Sequence, residues 1–464
     1  MSFKKNYFYQ MLYQLVNLLI PLITLPYLTR VLNANNMGIY TYNFTIISYF
    51  LIFATLGSNI YGSRKIAYVR NDHTNLSRNF IEIQLFRTLT VLITIIVLFL
   101  SINIFESKIL ILYQSINIFA LIFDISWFYQ GIEDFKKISL RNIIIKMILL
   151  ILLFILVKEP EDLKKYALLV ALLNLFSNFI FWIGINKKIS FKYQKLNIKK
   201  HFKESIHLFI PQITISIYTL SDKLMIGYLI DKKYVSFYNV SNKLIVMSMI
   251  LITTVGAVLL PRISNMYSNK KYEEMKNMIK TSFDYLTLLA VGLIFGIIAT
   301  AKDIVNLLFT GEYLNIYILI QVMSITIIFW TWNNITGSQI LIPTKNEKKI
   351  TISVLIGAII NIALNFVLIK KYNAMGAVLA TVLTEGVVTF IQIYYSKEYF
   401  KFNIKLMLKS LVSGIIMLII LSFLDNFILK IIMGILIYLF SLIMLKEKII
   451  LDIIGKRRLK YENN

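Results

Sequence analysis

The sequence predicts an all-α polytopic membrane protein of about fourteen transmembrane helices, two six-helix lobes in parallel repeat plus two C-terminal helices. Three observations predict it. Hydrophobic residues fill 58% of the 464 positions and charged residues only 16%, against roughly 45–50% and about 25% in soluble domains. Apolar runs recur at the length of about 20 residues that a bilayer core demands. The basic residues, which set a net charge of +25, are unevenly shared between successive connections, as positive-inside topology requires. So few charges with so much apolar surface exclude a disordered polyelectrolyte. The long apolar runs argue against a nucleic-acid partner despite the charge. With no cysteine, disulfides, thiolate metal sites and cysteine nucleophiles are excluded.

The first segment, 9–32, follows Lys4 and Lys5 and continues without a small-residue cleavage site, so it reads as a retained helix. Pro21 and Pro26 remove backbone donors and can bend it. Segments 39–62, 80–103, 109–130, 142–157 and 164–185 complete a first set of six. A second set comprises 204–230, 235–261, 282–300, 315–342, 351–369 and 375–395, and 404–424 and 428–445 are appended. Segment 142–157 is short, and 204–230 is long and charged. The longest connections, 63–79, 186–203 and 262–281, are too short to hold a soluble domain. With the N-terminus placed in the cytoplasm, 34 of the 49 basic residues fall on the cytoplasmic side and 11 on the other. Arg87, Lys146, Lys223 and Lys243 remain inside spans. The expected topology has both termini cytoplasmic.

Two echoes suggest the repeat. Ile20-Pro-Leu-Ile-Thr24 matches Ile210-Pro-Gln-Ile-Thr214, and each is followed by a Tyr-Asn pair, Tyr42-Asn43 and Tyr238-Asn239. Phe135-Lys-Lys-Ile-Ser139 matches Glu347-Lys-Lys-Ile-Thr351. The expected organisation is an N-terminal lobe (1–185), a basic cytoplasmic linker (186–203), a C-terminal lobe (204–395), and helices 13 and 14 with a basic cytoplasmic tail (396–464). The linker's seven lysines face anionic headgroups or simply fix orientation.

Ordered motifs run along the chain. Tyr27-Leu-Thr-Arg30-Val-Leu, Gly38-Ile-Tyr40 and Leu56-Gly57-x-Asn59-x-Tyr61-Gly62-x-Arg64 come first. Asp124-Ile-Ser-Trp127-Phe-Tyr129-Gln-Gly131, Asp222-Lys223-Leu-Met-Ile-Gly227 and Leu260-Pro261-Arg262-Ile-Ser264 follow, then Gln339-Ile-Leu-Ile-Pro343 and Asn361-x-x-Leu-Asn365. This set resembles the bacterial polysaccharide repeat-unit flippases, the O-antigen and capsule exporters of the multidrug/oligosaccharidyl-lipid/polysaccharide superfamily. The resemblance implies fourteen helices whose two lobes rock by alternating access in the bacterial cytoplasmic membrane. It implies a cargo of undecaprenyl-pyrophosphate-linked oligosaccharide, membrane lipid as surroundings and a polysaccharide polymerase as a working partner. It implies no catalytic residues and no cofactor beyond a coupling H+ or Na+. The absence of a Gly-x-x-x-x-Gly-Lys-[Ser/Thr] loop agrees with a transporter that lacks ATPase machinery.

Charged residues in spans are costly and usually face a cavity or a partner. Arg30, Arg87, Lys223 and Lys243 are therefore the candidates for holding a pyrophosphate, arginine being suited to bidentate contact. Arg30 also matches the first-helix arginine of the family; end-of-helix snorkelling is the alternative for it and for Arg87. Asp222, Glu385 and Asp124 are the ion-coupling candidates, with Lys243 a conceivable partner of Asp222. Arg64 and Arg262 close cytoplasmic helix ends and are gate or orientation residues. Trp127 and Tyr129 are expected in the interfacial belt or on sugar faces. His73, His201 and His207 are expected to be solvated or interfacial, and they form no metal cluster. Asn59, Asn361 and Asn365 are expected to bond between helices.

Three other classes compete. A membrane polymerase, ligase or glycosyltransferase is disfavoured by short outer loops and the lack of Asp-x-Asp. A cationic-drug exporter would want acids in its cavity. A lipid II flippase shares fold and lipid anchor, and the sequence does not separate it.

Overall fold

The computed structural model describes residues 3–191, 196–400, 402–447 and 449–451, and their regular structure is helical. Lys192 and Lys195 of the linker, Lys448, and residues 452–464 of the tail lie outside the described residues. The contacts divide the chain into two units, Met1–Ser236 and Phe237–Asn464. The first holds α1 (Phe3–Thr55), α2 (Ser58–Val69), α3 (His73–Ser101), α4 (Lys108–Ala120), α5 (Ser126–Gly131), α6 (Phe135–Leu156), α7 (Leu163–Ile180), α8 (Lys199–Leu229) and the start of α9 (Lys232–Ser248). The second holds the rest of α9, α10 (Ile250–Ser268), α11 (Tyr272–Leu308), α12 (Ile316–Ser324), α13 (Thr326–Asn333), a π-helical stretch (Asn334–Leu341), α14 (Glu347–Tyr372), α15 (Ala374–Ser396), α16 (Ile404–Leu421) and α17 (Phe427–Met444).

Among the described residues, nine helices are long and apolar enough to cross a membrane, or eleven if each of two bent pairs is one crossing. The protein is therefore a multi-pass membrane protein. That number differs from fourteen for identifiable reasons. The expected spans 9–32 and 39–62 are counted together within Phe8–Val69, although Asn33, whose φ of 58° leaves the helical region, kinks the chain between them and 39–62 continues past the end of α1 into α2. The expected span 109–130 is divided between α4 and the short α5. Helix α8, rich in hydroxyl and charged residues, does not reach the apolar threshold.

Asn33 explains its own break. Asparagine tolerates positive φ better than most residues. Its Oδ1 accepts from Asn36 N at 3.0 Å, so it caps the half-helix that follows. A second break lies between α1 and α2, where Leu56 and Gly57 have φ of 41° and 77°. A Cβ on Gly57 would stand 2.6 Å from Ser205 O, and Ser205 Oγ donates to Leu56 O at 2.6 Å. Backbone freed at the break is thus satisfied by α8, as a membrane interior requires. Residues 204–236 fall in the first unit.

The first unit's aromatic core corrects the belt reading of Trp127 and Tyr129. Both are fully buried with Phe80, Phe128 and Phe181. Trp127 stacks on Phe80 at 5.6 Å, and Tyr129 Oη donates to Phe181 O at 2.6 Å. Glycine makes the room: a Cβ on Gly62 would sit 2.5 Å from the Trp127 ring. In the second unit α11 is the hub, packed by α10, α12, α13, α16 and α17. Tyr438 Oη donates to Leu288 O at 2.8 Å, and Lys430 pairs with Asp303 at 2.6 Å, tying α17 to α11 at two levels.

Gly62→Ala is expected to cost about 1–3 kcal/mol by overpacking. Gly296→Ala, where a Cβ meets nothing within 4 Å, is expected to be neutral or stabilising through helix propensity. Melting of the two variants in detergent checks this, and a wild-type melt for Gly62→Ala would refute the packing account.

Candidate functional site

The charged residues expected in spans fall into distinct environments. Arg87 on α3 is completely buried. Its Nε donates to Leu121 O at 3.0 Å, one terminal nitrogen to Asn59 Oδ1, and the other to Asp124 Oδ2 at 2.9 Å. Asp124 Oδ1 in turn accepts from Ser126 N at 2.9 Å, where the chain enters α5. All three guanidinium nitrogens are therefore engaged inside the unit. The arrangement fastens α2, α3 and the α4–α5 junction, and it differs from a snorkelling arginine. Asn59 bonds between helices as expected. Asn365 Nδ2 instead reaches Asn361 Oδ1 at 2.9 Å, one turn away on α14.

Lys146 on α6 is satisfied by Asn17 Oδ1 on α1 and lies 5.6 Å from the Tyr13 ring. Asp222 on α8 is buried and Lys223 half-buried. Arg30 is exposed, three residues before the Asn33 break and after Pro21 and Pro26. Lys243 on α9, Arg262 on α10 and Arg64 on α2 are exposed, and Arg64 Nε donates to Tyr68 Oη at 3.1 Å.

Glu385 is one of the buried acids of the second unit, with Asp284 and Glu447. Its Oε2 accepts from Asn333 Nδ2 at 3.0 Å, beside the π-helical stretch. It belongs to a buried polar stripe on α15: Thr381, Glu385, Thr389, Gln392 and Ser396. Steps of three and four residues put them on one helical face. Along that face Tyr238 Oη lies 3.2 Å from Thr381 Oγ1, Thr336 Oγ1 donates to Gln392 Oε1 at 3.0 Å, and Gln392 Nε2 donates to Ser353 Oγ at 3.1 Å. A π-helical stretch displaces backbone and side chains and often marks a functional place. The stripe is readable in the sequence by its period.

One cluster went unpredicted. His201, expected to be solvated or interfacial, is fully buried with Glu82. Glu82 Oε2 accepts from His201 Nε2 at 2.7 Å and Lys200 Nζ at 3.0 Å, and Oε1 from Asn197 N at 2.7 Å and Arg78 Nε at 3.0 Å. Tyr61 Oη lies 2.7 Å from His201 Nδ1, which fits a neutral ring that donates through Nε2 and accepts at Nδ1. The end of the basic connection is thereby pinned onto α2 and α3. The signal was an acid among the first apolar turns of α3, with an arginine four residues before it. His201 lies ahead of the expected span 204–230. Burial pushes its imidazole down, outweighing the upward pull of Glu82.

Two predictions follow from these networks. Arg87→Ala should cost about 3–5 kcal/mol, because it leaves a buried carboxylate unpaired, while the double change Arg87→Met with Asp124→Leu should recover much of it. Denaturation of the three proteins in detergent decides, and equal single and double losses would contradict the pairing. The lowered His201 value means the folded chain takes up this proton less readily than the unfolded one. Stability present above pH about 6.5 is then lost as pH falls through the lowered value. The melting temperature should drop more between pH 8 and pH 5 in the wild type than in His201→Gln, and parallel drops would refute the assignment.

Comparison with known proteins extends over nearly the whole chain. Residues 3–267 match a family model described as polysaccharide biosynthesis protein, and 208–367 match MatE. An Escherichia coli (strain K12) protein named "Putative O-antigen transporter" is 24% identical over 85% of this chain and 97% of its own length. The capsular polysaccharide biosynthesis protein CapF of Staphylococcus aureus is 22% identical over 85% of this chain and all of its own. Among solved structures, the lipid II flippase MurJ in an inward closed conformation superposes with a TM-score of 0.75 at 19% identity, over 96% of this chain and 99% of that one. An inward-facing MATE-family transporter of the MOP superfamily gives 0.66 at 12% identity, over 82% and 94%.

Proposed function

The chain belongs to the polysaccharide biosynthesis protein family of the MOP superfamily, and on that premise we propose that it is a flippase, not an enzyme, carrying undecaprenyl-pyrophosphate-linked oligosaccharide repeat units to the outer leaflet. The observation that carries the reading is the similarity to an O-antigen transporter along 97% of that protein's length. The membrane is the bacterial cytoplasmic membrane, with both termini in the cytoplasm and a threefold excess of basic residues on that side. Transport proceeds by alternating access, and a polysaccharide polymerase takes the product.

The physical task is to move a pyrophosphate and a hydrated glycan past hydrocarbon. Arg30 is assigned to the pyrophosphate. Arg30 is exposed on a helix that carries Pro21 and Pro26 and breaks at Asn33. Lys223 and Lys243 add positive charge, Arg64 and Arg262 act at the cytoplasmic gate, and Asp222 and Glu385 bind the coupling H+ or Na+. Arg87 and Asp124, engaged with each other, are assigned a bracing role instead.

The test is export of the repeat unit in a flippase-deficient host at matched expression. Arg30→Ala should lose about tenfold or more, the scale of a lost charge-assisted contact, and Arg30→Lys should lose less. In proteoliposomes an imposed proton or sodium gradient should drive transport that Asp222→Asn abolishes. Full activity of Arg30→Ala removes Arg30 from the mechanism, and gradient-independent transport in the parent removes the coupling. Rescue of a lipid II flippase deficiency, without export of the repeat unit, would reassign the cargo.

A further inference from the structure

We propose that the first unit carries a saccharide subsite at the end remote from the Glu82–His201 cluster, built by α1, the α3–α4 connection and the α8–α9 junction; the proposal rests on the flippase reading. Helix α3 separates the two ends. Glu82 lies in its first half and Ser101 closes it, about 28 Å further along at 1.5 Å per residue. At that far end a cavity of about 420 Å³ opens among Tyr42, Asn43, Glu106, Ser107, Tyr228 and Lys232. The volume falls within the roughly 300–1,000 Å³ usual for small-molecule sites.

Two close approaches build this place. A Cβ on Gly227 would run into the Tyr42 ring, and one on Gly38 into Lys232 O. Only with glycine at both positions can α1 lie directly against the α8–α9 junction. Lys232 Nζ, 5.8 Å from the Tyr42 ring, also pairs with Glu106. The ring is thus fixed between a glycine backbone and an ammonium group. This gives the Tyr42-Asn43 motif a place in the structure.

The chemistry selects the ligand. Asn43 lines the cavity and is 3% exposed, yet its amide Nδ2 has no hydrogen-bond partner. A buried unpaired amide costs about 1–3 kcal/mol and is normally satisfied. A ligand with hydroxyl or acetamido acceptors would satisfy it. Tyr228, 82% exposed, offers an open ring face for the apolar side of a pyranose. Glu106 and Lys232 neutralise each other, so the cavity has no excess charge to hold a phosphate or a cation. Paired acid and base, hydroxyl, amide and aromatic together suit a neutral polyhydroxylated ring. The subsite receives the glycan, while Arg30 holds the pyrophosphate.

The test uses the full chain in detergent. The probe is the oligosaccharide released by mild acid from the lipid-linked repeat unit of the native host, with inorganic pyrophosphate and undecaprenyl phosphate as separate ligands. The released oligosaccharide should bind the wild type, and Tyr228→Ala and Glu106→Gln should each weaken it about tenfold while melting as the wild type does. Pyrophosphate binding should be unchanged in both and lost in Arg30→Ala. No oligosaccharide binding by the wild type, equal binding by all variants, or its displacement by undecaprenyl phosphate would overturn the subsite. Those results would leave the flippase reading intact as long as pyrophosphate binds and Arg30→Ala abolishes export. A failure of that reading would appear instead as loss of both.

Discussion

An arginine sealed among apolar helices has to be neutralised where it stands, and the pairing of Arg87 with Asp124 is the interaction around which the first unit is organised. Desolvating either charge alone is expensive enough to break the packing. The pair is held by further bonds on both sides: Asn59 and the Leu121 carbonyl on the guanidinium, Ser126 N on the carboxylate. Those partners come from α2, α4 and the start of α5. Satisfying one charge therefore fixes the helices against which Trp127, Phe80 and Phe128 pack. The same helices present Tyr61 and Glu82 to His201, so the connection into α8 is anchored to a frame set by the buried pair.

In the second unit a buried polar stripe stands beside the ion pairs Lys430–Asp303 and Lys409–Glu447. On α15 a stripe of threonine, glutamate and glutamine faces α13, the π-helical stretch and α14, where Glu385 meets Asn333 and Gln392 meets Thr336 and Ser353. Hydroxyls and amides cost less to bury than ions, and polar contacts in membranes contribute modestly one by one. The π-helical stretch, with backbone bonds of longer register, lies beside this stripe.

The fold class was legible because hydrocarbon leaves so little choice: apolar length and lysine distribution announce a polytopic helical protein before any contact is known. Helix breaks were less legible. Asn33 opens the Asn-rich stretch 33–36 between the expected spans 9–32 and 39–62, so that break was readable, whereas the break at Leu56 and Gly57 falls inside the expected span 39–62. Arg87 and Asp124 were each visible as costly residues, but 37 positions separate them, and only tertiary structure brings them together. Trp127 and Tyr129 looked like belt residues because their burial depends on a notch at Gly62, a residue with no side chain to signal it. His201 looked solvated or interfacial because it stands among lysines, yet both its ring and Lys200 turn in toward Glu82. Arg30, by contrast, stands exposed three residues before a helix break.

The central claim is that this chain by itself moves a pyrophosphate-linked glycan lipid between leaflets. The most direct measurement reconstitutes the purified protein in sealed vesicles loaded with a fluorescent undecaprenyl-pyrophosphate oligosaccharide and follows how much becomes reachable by a membrane-impermeant quencher. The account predicts that, without ATP, the fraction reachable rises from about half toward completeness only in vesicles holding the protein, at a rate that grows with protein content. A reachable fraction that stays where protein-free vesicles leave it, under every imposed ion gradient, would contradict it.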